Sequence, residues 1–129
     1  MSLSRRTVAL QTYLDAMPGA VATPLSLGRS STSGVLIYKI MGKMFAILSV
    51  RGVAFVILKC DRQLAEVLRE QYAGVGHRSH LDRRYWISVT LDADVPIAEI
   101  KRLVRLSHEL VRAKLTRKQQ AALATASVP

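Results

Sequence analysis

A chain of 129 residues, half of them apolar, can bury one core and is too apolar for disorder. Its longest unbroken apolar run, residues 53–58, falls far short of the roughly 18 needed to span a bilayer. The formal net charge is +10, from 19 Lys and Arg against 9 Asp and Glu, and the single cysteine, Cys60, excludes an internal disulfide and fits a reducing compartment.

Residues 4–17 read as a helix: Leu10, Tyr13, Leu14 and Met17 share one face, Ser4 is placed to cap, and Pro18-Gly19 stops it. The segment "SRRTVAL" faintly resembles a twin-arginine export signal. Gln11, Thr12 and Asp15 break the apolar stretch such a signal needs, so a soluble amphipathic helix is expected. Met1-Ser2-Leu3 reads as in part a cloning scar. "AVATPLSLG" reads as an edge strand, because Pro24 is unsuited to a central one, and "RSSTSG" as a loop. Strands are expected over 35–40, 44–49 and 53–60, joined into an antiparallel meander by tight turns at Gly42-Lys43 and Arg51-Gly52. Val53, Phe55 and Ile57 alternate with Ala54, Val56 and Leu58, so this sheet should be covered on both faces, by a helix, a loop or another subunit. Asp61 caps a second helix, 62–72, with Leu64, Val67, Leu68 and Tyr72 as its buried stripe; "GVGHRSHLDRR" is a connection; 85–91 is a final strand. Asp92 and Asp94 are expected to cap a long helix, 96–114, whose Ile100, Leu103, Val104, Ser107, Leu110 and Val111 face inward. Thr116 and Gln119 form a capping box for a short helix, 117–124.

The charge is uneven. Residues 1–60 carry seven basic and one acidic residue, 61–100 five and seven, and 101–129 seven and one, or +6, −2 and +6. Two basic ends favour a polyanionic partner; plain solubility is the alternative.

Five stretches, in this order, are distinctive together: "MPGA" (17–20), "YKIMGKMFAIL" (38–48), "ILKCDRQLAEVLRE" (57–70), "HLDRRYWISVTLD" (80–92) and "VPIAEIKRLVRLSHELV" (95–111). Through them the chain resembles the MmcQ/YjbR family of small bacterial proteins. The resemblance implies an α+β fold, a CyaY/YjbR-like two-layer sandwich. In it an antiparallel sheet of about five strands carries N-terminal and C-terminal helices, in a single domain over 1–129 with a frayed tail from about residue 125. It further implies DNA binding, by analogy with a double-wing motif, in a family of poorly defined biochemical role. Iron-handling frataxins carry an acidic ridge on the first helix. Here that helix offers only Asp15, beside Arg5 and Arg6, so iron chemistry does not transfer.

Three groups of residues are candidates for contact with DNA. Lys101, Arg105, His108 and Arg112, spaced 4, 3 and 4, form a basic ridge on the last long helix, extended by Arg102, Lys114, Arg117 and Lys118; the alternative is a solvated helix face. Arg83 and Arg84 precede Trp86, which strand alternation puts with Ser88 and Thr90. It could stack on a base, or it covers a sheet end or a subunit interface. Lys43 and Arg51 sit at hairpin tips that resemble wings or are ordinary polar turns. His77, His80 and Asp82 lack the second ligand pair of a zinc site, Cys60 reads as a packing residue, and no catalytic triad or glycine-rich phosphate loop is readable. The expectation is a cytoplasmic, non-enzymatic DNA-binding protein without metal or cofactor, making phosphate contacts that position but do not read sequence. The alternatives are a protein-interaction module or homodimer using the exposed sheet face, and an undiscovered enzyme or small-anion binder if Arg83, His80 and Lys59 share a concave pocket. A membrane partner is not expected, since no helix pairs a basic face with exposed Trp or Phe.

Overall fold

The structure, a computed structural model, describes residues 4–27 and 30–126, with side chains over 4–24 and 34–124. The expectations for Met1 to Leu3 and for the tail beyond Ala126 lie outside the described residues. The elements are α1 (Arg5–Asp15), β1 (Val21–Leu27), β2 (Ser30–Ile40), β3 (Lys43–Ser49), β4 (Phe55–Lys59), α2 (Arg62–Gln71), β5 (Val75–Gly76), β6 (Trp86–Thr90), α3 (Ile97–Arg112) and α4 (Arg117–Ala126). All strands pair antiparallel in one sheet, in the order β1-β2-β3-β4-β6-β5. This is an α+β fold, with a sixth, two-residue strand, β5, inside the segment expected to be a plain connection.

Local chemistry explains the helix starts. Ser4 Oγ accepts the Thr7 N–H at 3.1 Å, Asp61 Oδ2 accepts those of Gln63 and Leu64, and Thr116 and Gln119 exchange bonds as a capping box. The α3 start departs from expectation. Its N-cap is Pro96, with no side-chain bond, and Asp94 instead accepts the Ala73 and Gly74 N–H groups at 2.8 and 2.7 Å. Asp94 therefore ties the end of α2 to the turn before α3. The β2–β3 turn is Met41-Gly42, both at positive φ (47° and 80°), a two-residue hairpin of the type that matches strand twist. Lys43 is the first residue of β3 rather than a turn residue. The polar run 30–34, expected as a loop, continues β2, and its Ser30 and Ser31 pair with Leu27 and Ser26 of β1.

Register divides the sheet into two faces. Ala46, Leu48, Val56, Leu58, Ile87 and Val89 share one and are buried with Leu10 and Leu14 of α1 and Ile100, Leu103, Val104 and Val111 of α3. The other face carries Ile37, Ile47 and Phe55, half-buried, and Ile57, buried. Part of its cover is a loop, as one expectation allowed: the Arg78 guanidinium lies 5.2 Å from the Phe55 ring centroid.

A β-bulge positions the functional end of the sheet. Tyr38 pairs with Ala46 but Lys39 pairs with Met44, so Phe45 is the extra residue and turns inward, wholly buried. The β3–β4 ladder stops at Ala46 and Leu58. Beyond it the buried hydroxyl of Ser107, on α3, donates to the Phe45 carbonyl at 2.6 Å and accepts the Lys59 N–H at 2.9 Å. One side chain thus satisfies two strand groups that the bulge has separated.

Candidate nucleic-acid interface

The expected ridge on α3 is only partly a ridge. His108 is 4% exposed: its Nε2 donates to the Pro18 carbonyl at 2.8 Å and its ring packs edge-on against Phe45 at 5.3 Å. At 100° per residue His108 lies only about 40° around the helix from Val104, and the Met17-Pro18 turn after α1 covers that flank. Lys101 sits over the Tyr13 ring at 5.6 Å, and Arg105 Nη1 donates to the Tyr13 hydroxyl at 2.8 Å. Arg112 is held by Glu109 through two bonds, of 2.9 and 2.5 Å. These cations are oriented by α1 and by α3 itself rather than displayed as a free track.

The Arg83–Trp86 segment is built by α2. Arg69 Nη2 donates to the Arg83 carbonyl at 2.6 Å and to the Trp86 carbonyl at 3.0 Å. Arg84 is paired with Asp82 at 2.9 Å and lies over Tyr85. The Arg83 side chain has no ion pair among the described residues. A groove of about 420 Å³ here is lined by Arg62, Glu66, Arg69, Glu70, Arg83 and Arg84. It includes neither His80 nor Lys59, so the expected condition for an enzyme pocket is not met at this place. Trp86 is half-buried and pairs in register with Lys59, whose Nζ lies 5.9 Å from the indole centroid.

Lys59 is the residue that sequence reasoning undervalued. Its ammonium is pushed below the usual lysine range, first by burial and then by the positive charges of Lys114 and Lys43. Lys43 Nζ reaches the Lys114 carbonyl at 3.4 Å. The start of β3, the end of β4 and the residues after α3 thus bring Lys43, Lys59 and Lys114 within electrostatic reach of one another, with Lys59 beside Trp86. The ion pairs among the described residues are Arg84–Asp82, Arg102–Glu99 and Arg112–Glu109, so none of the three lysines is paired with a carboxylate. Arg51 is remote from them, in the 50–54 loop at the other end of β3. The structure therefore brings Lys43, Arg83, Arg84 and Trp86 to one end of the sheet, adds Lys59 and Lys114, and leaves Arg51, Lys101, Arg105 and Arg112 elsewhere.

The remaining candidates are structural. Burial pushes the Cys60 thiol up to about 11, which makes it inert packing rather than a nucleophile. His77 Nε2 donates to the Leu81 carbonyl, and no group of three His, Cys, Asp or Glu among the described residues could hold a metal ion.

The YjbR family model matches residues 15–110. The chain belongs to the YjbR family. The match runs from the last residue of α1 almost to the end of α3, so it includes Lys43, Lys59, Arg83 and Trp86 and stops short of Lys114 and α4. A relative is "Uncharacterized protein YbdF" of Escherichia coli O157:H7, 32% identical over 85 residues, covering 65% of this chain and 70% of that protein. "Uncharacterized protein YjbR" of Escherichia coli K12 is 39% identical over 54 residues, 42% of this chain and 46% of its own. The crystal structure of Deinococcus radiodurans protein DR2400, with a DUF419 domain, superposes with a TM-score of 0.78 at 26% identity, over 96% of this chain and 92% of that one. A Pseudomonas syringae protein shares the fold at a TM-score of 0.62 and 19% identity, over 84% of this chain and 98% of that one. The fold is thus that of solved bacterial relatives, and the names of the YjbR relatives carry no activity. No helix among the described residues is long and apolar enough to cross a membrane.

Proposed function

We propose that this YjbR-family protein binds the phosphate backbone of nucleic acid, DNA in the first instance, through the lysine end of its sheet. One observation carries the reading: Lys43 and Lys114 lie near Lys59 with no carboxylate paired to any of the three among the described residues, and their positive charges add to burial in disfavouring the charged form of Lys59. A phosphate between them relieves that repulsion. Arg83 extends the site along the backbone and Trp86 offers an aromatic surface beside it. In the double-wing analogy the Met41-Gly42 hairpin is the wing that touches DNA. Arg51 is left out, and the paired Arg84 and Arg112 contribute little. The role is binding rather than catalysis, in the cytoplasm, and largely indifferent to sequence, with dissociation constants on the order of 10⁻⁴–10⁻⁶ M near physiological salt.

The test is fluorescence anisotropy of labelled duplex and single-stranded DNA across salt concentrations, with heparin as competitor. The Lys43→Ala, Lys59→Ala, Lys114→Ala triple variant should lower the duplex slope of log K against log salt by about 2.7, since each lost contact removes about 0.9. An unchanged slope would remove the lysine end from the interface. A homodimer is the second reading, favoured by the half-buried Ile37, Ile47 and Phe55 on the sheet face opposite α3. A monomer in sedimentation at every concentration would set it aside.

A further inference from the structure

A second open groove, of about 440 Å³, lies away from the lysines, between the turn after α1, the second half of α3 and α4. Met17, Pro18, Leu123 and Ala124 give it apolar walls, and Arg105 and Arg112 stand at its polar side. Three elements from distant parts of the chain build it. The floor is fixed, because His108 is buried, bonded to the Pro18 carbonyl and packed on Phe45. The wall is fixed as well. Gly19 has φ +72°, and a Cβ there would fall 2.0 Å from Leu123 Cδ1, so α4 is seated directly on the backbone of the turn. Leu123 is 2% exposed in that contact.

The two arginines are held with donors to spare. Among the described residues, Tyr13 takes Arg105 Nη1, leaving Nε and Nη2, and Glu109 takes Arg112 Nε and Nη2, leaving Nη1. Two guanidinium groups against one carboxylate leave a single net positive charge beside an apolar groove. The volume is within the roughly 300–1,000 Å³ of small-molecule sites, and apolar walls with a few oriented polar groups are their usual lining. The geometry points to a binding site for a small organic monoanion, an aromatic or branched-aliphatic carboxylate, with its body against Met17, Leu123 and Ala124 and its carboxylate on Arg105 and Arg112. None of the residues of the proposed nucleic-acid surface takes part, so the two proposals stand or fall separately.

The probes are 2-naphthoate, which has both head and body, 2-naphthalenemethanol, which lacks the charge, and acetate, which lacks the body. Each is titrated into the full chain while methyl and amide NMR signals are followed. Naphthoate should shift the Met17 and Leu123 methyl signals saturably, with a dissociation constant on the order of 0.1–1 mM. The alcohol should bind roughly tenfold more weakly, and acetate should leave those methyls unmoved. Arg105→Ala with Arg112→Ala should reduce naphthoate to the level of the alcohol. Ala124→Trp, which fills the groove from the exposed side of α4, should abolish binding, with the remaining amide spectrum confirming the fold. Naphthoate shifts confined to other residues, acetate matching naphthoate, or unaltered binding in folded Ala124→Trp would each overturn the proposal.

Discussion

Replacing Ser107 by alanine removes one oxygen atom and orphans two backbone groups. The hydroxyl is buried and is the partner of the Phe45 carbonyl and of the Lys59 N–H, at 2.6 and 2.9 Å. The bulge at Phe45 has already separated these groups from a normal ladder bond, so they cannot simply pair with each other. Each unsatisfied buried group costs about 1–3 kcal/mol; the Phe45 carbonyl is fully enclosed, whereas the Lys59 N–H, only partly buried, sits near the low end of that range. A loss of about 2–4 kcal/mol follows, or a fall in Tm of roughly 6–16 °C for a domain of this size. Urea and thermal unfolding followed by circular dichroism measure it, and hydrogen exchange localises it, because the Lys59 amide should lose protection before the Leu58 amide does. Ser107→Thr keeps the oxygen and separates crowding from the lost bond. A Tm drop below about 2 °C in Ser107→Ala, with Lys59 still protected, would show that water or a closed ladder replaces the hydroxyl, and the bridging role would be wrong.

Other outcomes follow from the same geometry. In the folded protein Lys59 loses its proton below the 10.5 of a free lysine side chain. Between that lowered value and about 10.5 the unfolded chain therefore binds more protons, and stability rises with pH across the window. Lys59→Met should abolish this rise, as read from the difference between the two unfolding free energies against pH. Cys60, with its thiol raised to about 11, should resist iodoacetamide at pH 8 in the native state and react only on unfolding. Gly19→Ala should cost about 2–4 kcal/mol in urea unfolding, combining a strained positive φ with displacement of Leu123.

Much of the fold was legible because it is local. Caps at Ser4, Asp61 and Thr116 and the apolar stripes of α1 and α3 are short-range patterns, and so is the β2–β3–β4 meander; on α2 the expected stripe holds only in part, since Val67 is exposed and Ala65 is buried with Leu68. What escaped is non-local or carries no side-chain pattern. Residues 30–34 belong to β2 through the backbone pairing of Ser30 and Ser31 with β1, and β5 is two residues long, too short for any periodicity. Asp94 lies two residues before Pro96, a natural place for a helix cap, yet its partners are Ala73 and Gly74, which α2 and β5 bring back to it. On α3 the 3.6-residue period correctly separated cations from the core stripe. It could not reveal that Tyr13 and Pro18 would arrive on the cationic flank and bury His108 there. Lys43, Lys59 and Lys114 are far apart in sequence and meet only through topology, so no window along the chain contains them together.

The count of 19 Lys and Arg overstates the cations that a polyanion would meet unpaired. Arg84, Arg102 and Arg112 are neutralised by carboxylates within 3 Å, and Lys101 and Arg105 are engaged by Tyr13 on a different part of the surface. The unpaired cations gathered at the end of the sheet are Lys43, Lys59, Lys114 and Arg83. Four phosphate contacts correspond to a slope of about −3.6 for log K against log salt on duplex DNA. The seven cations picked out by sequence, Lys43, Arg51, Arg83, Arg84, Lys101, Arg105 and Arg112, would give about −6.3. These differ enough for a single salt titration to separate them. A slope near −3.6 that falls in the triple lysine variant fits an interface confined to the sheet end. A slope near −6 that falls by no more than about 0.9 in that variant would mean that DNA follows Lys101, Arg105 and Arg112 instead, the side of α3 where the structure builds a groove.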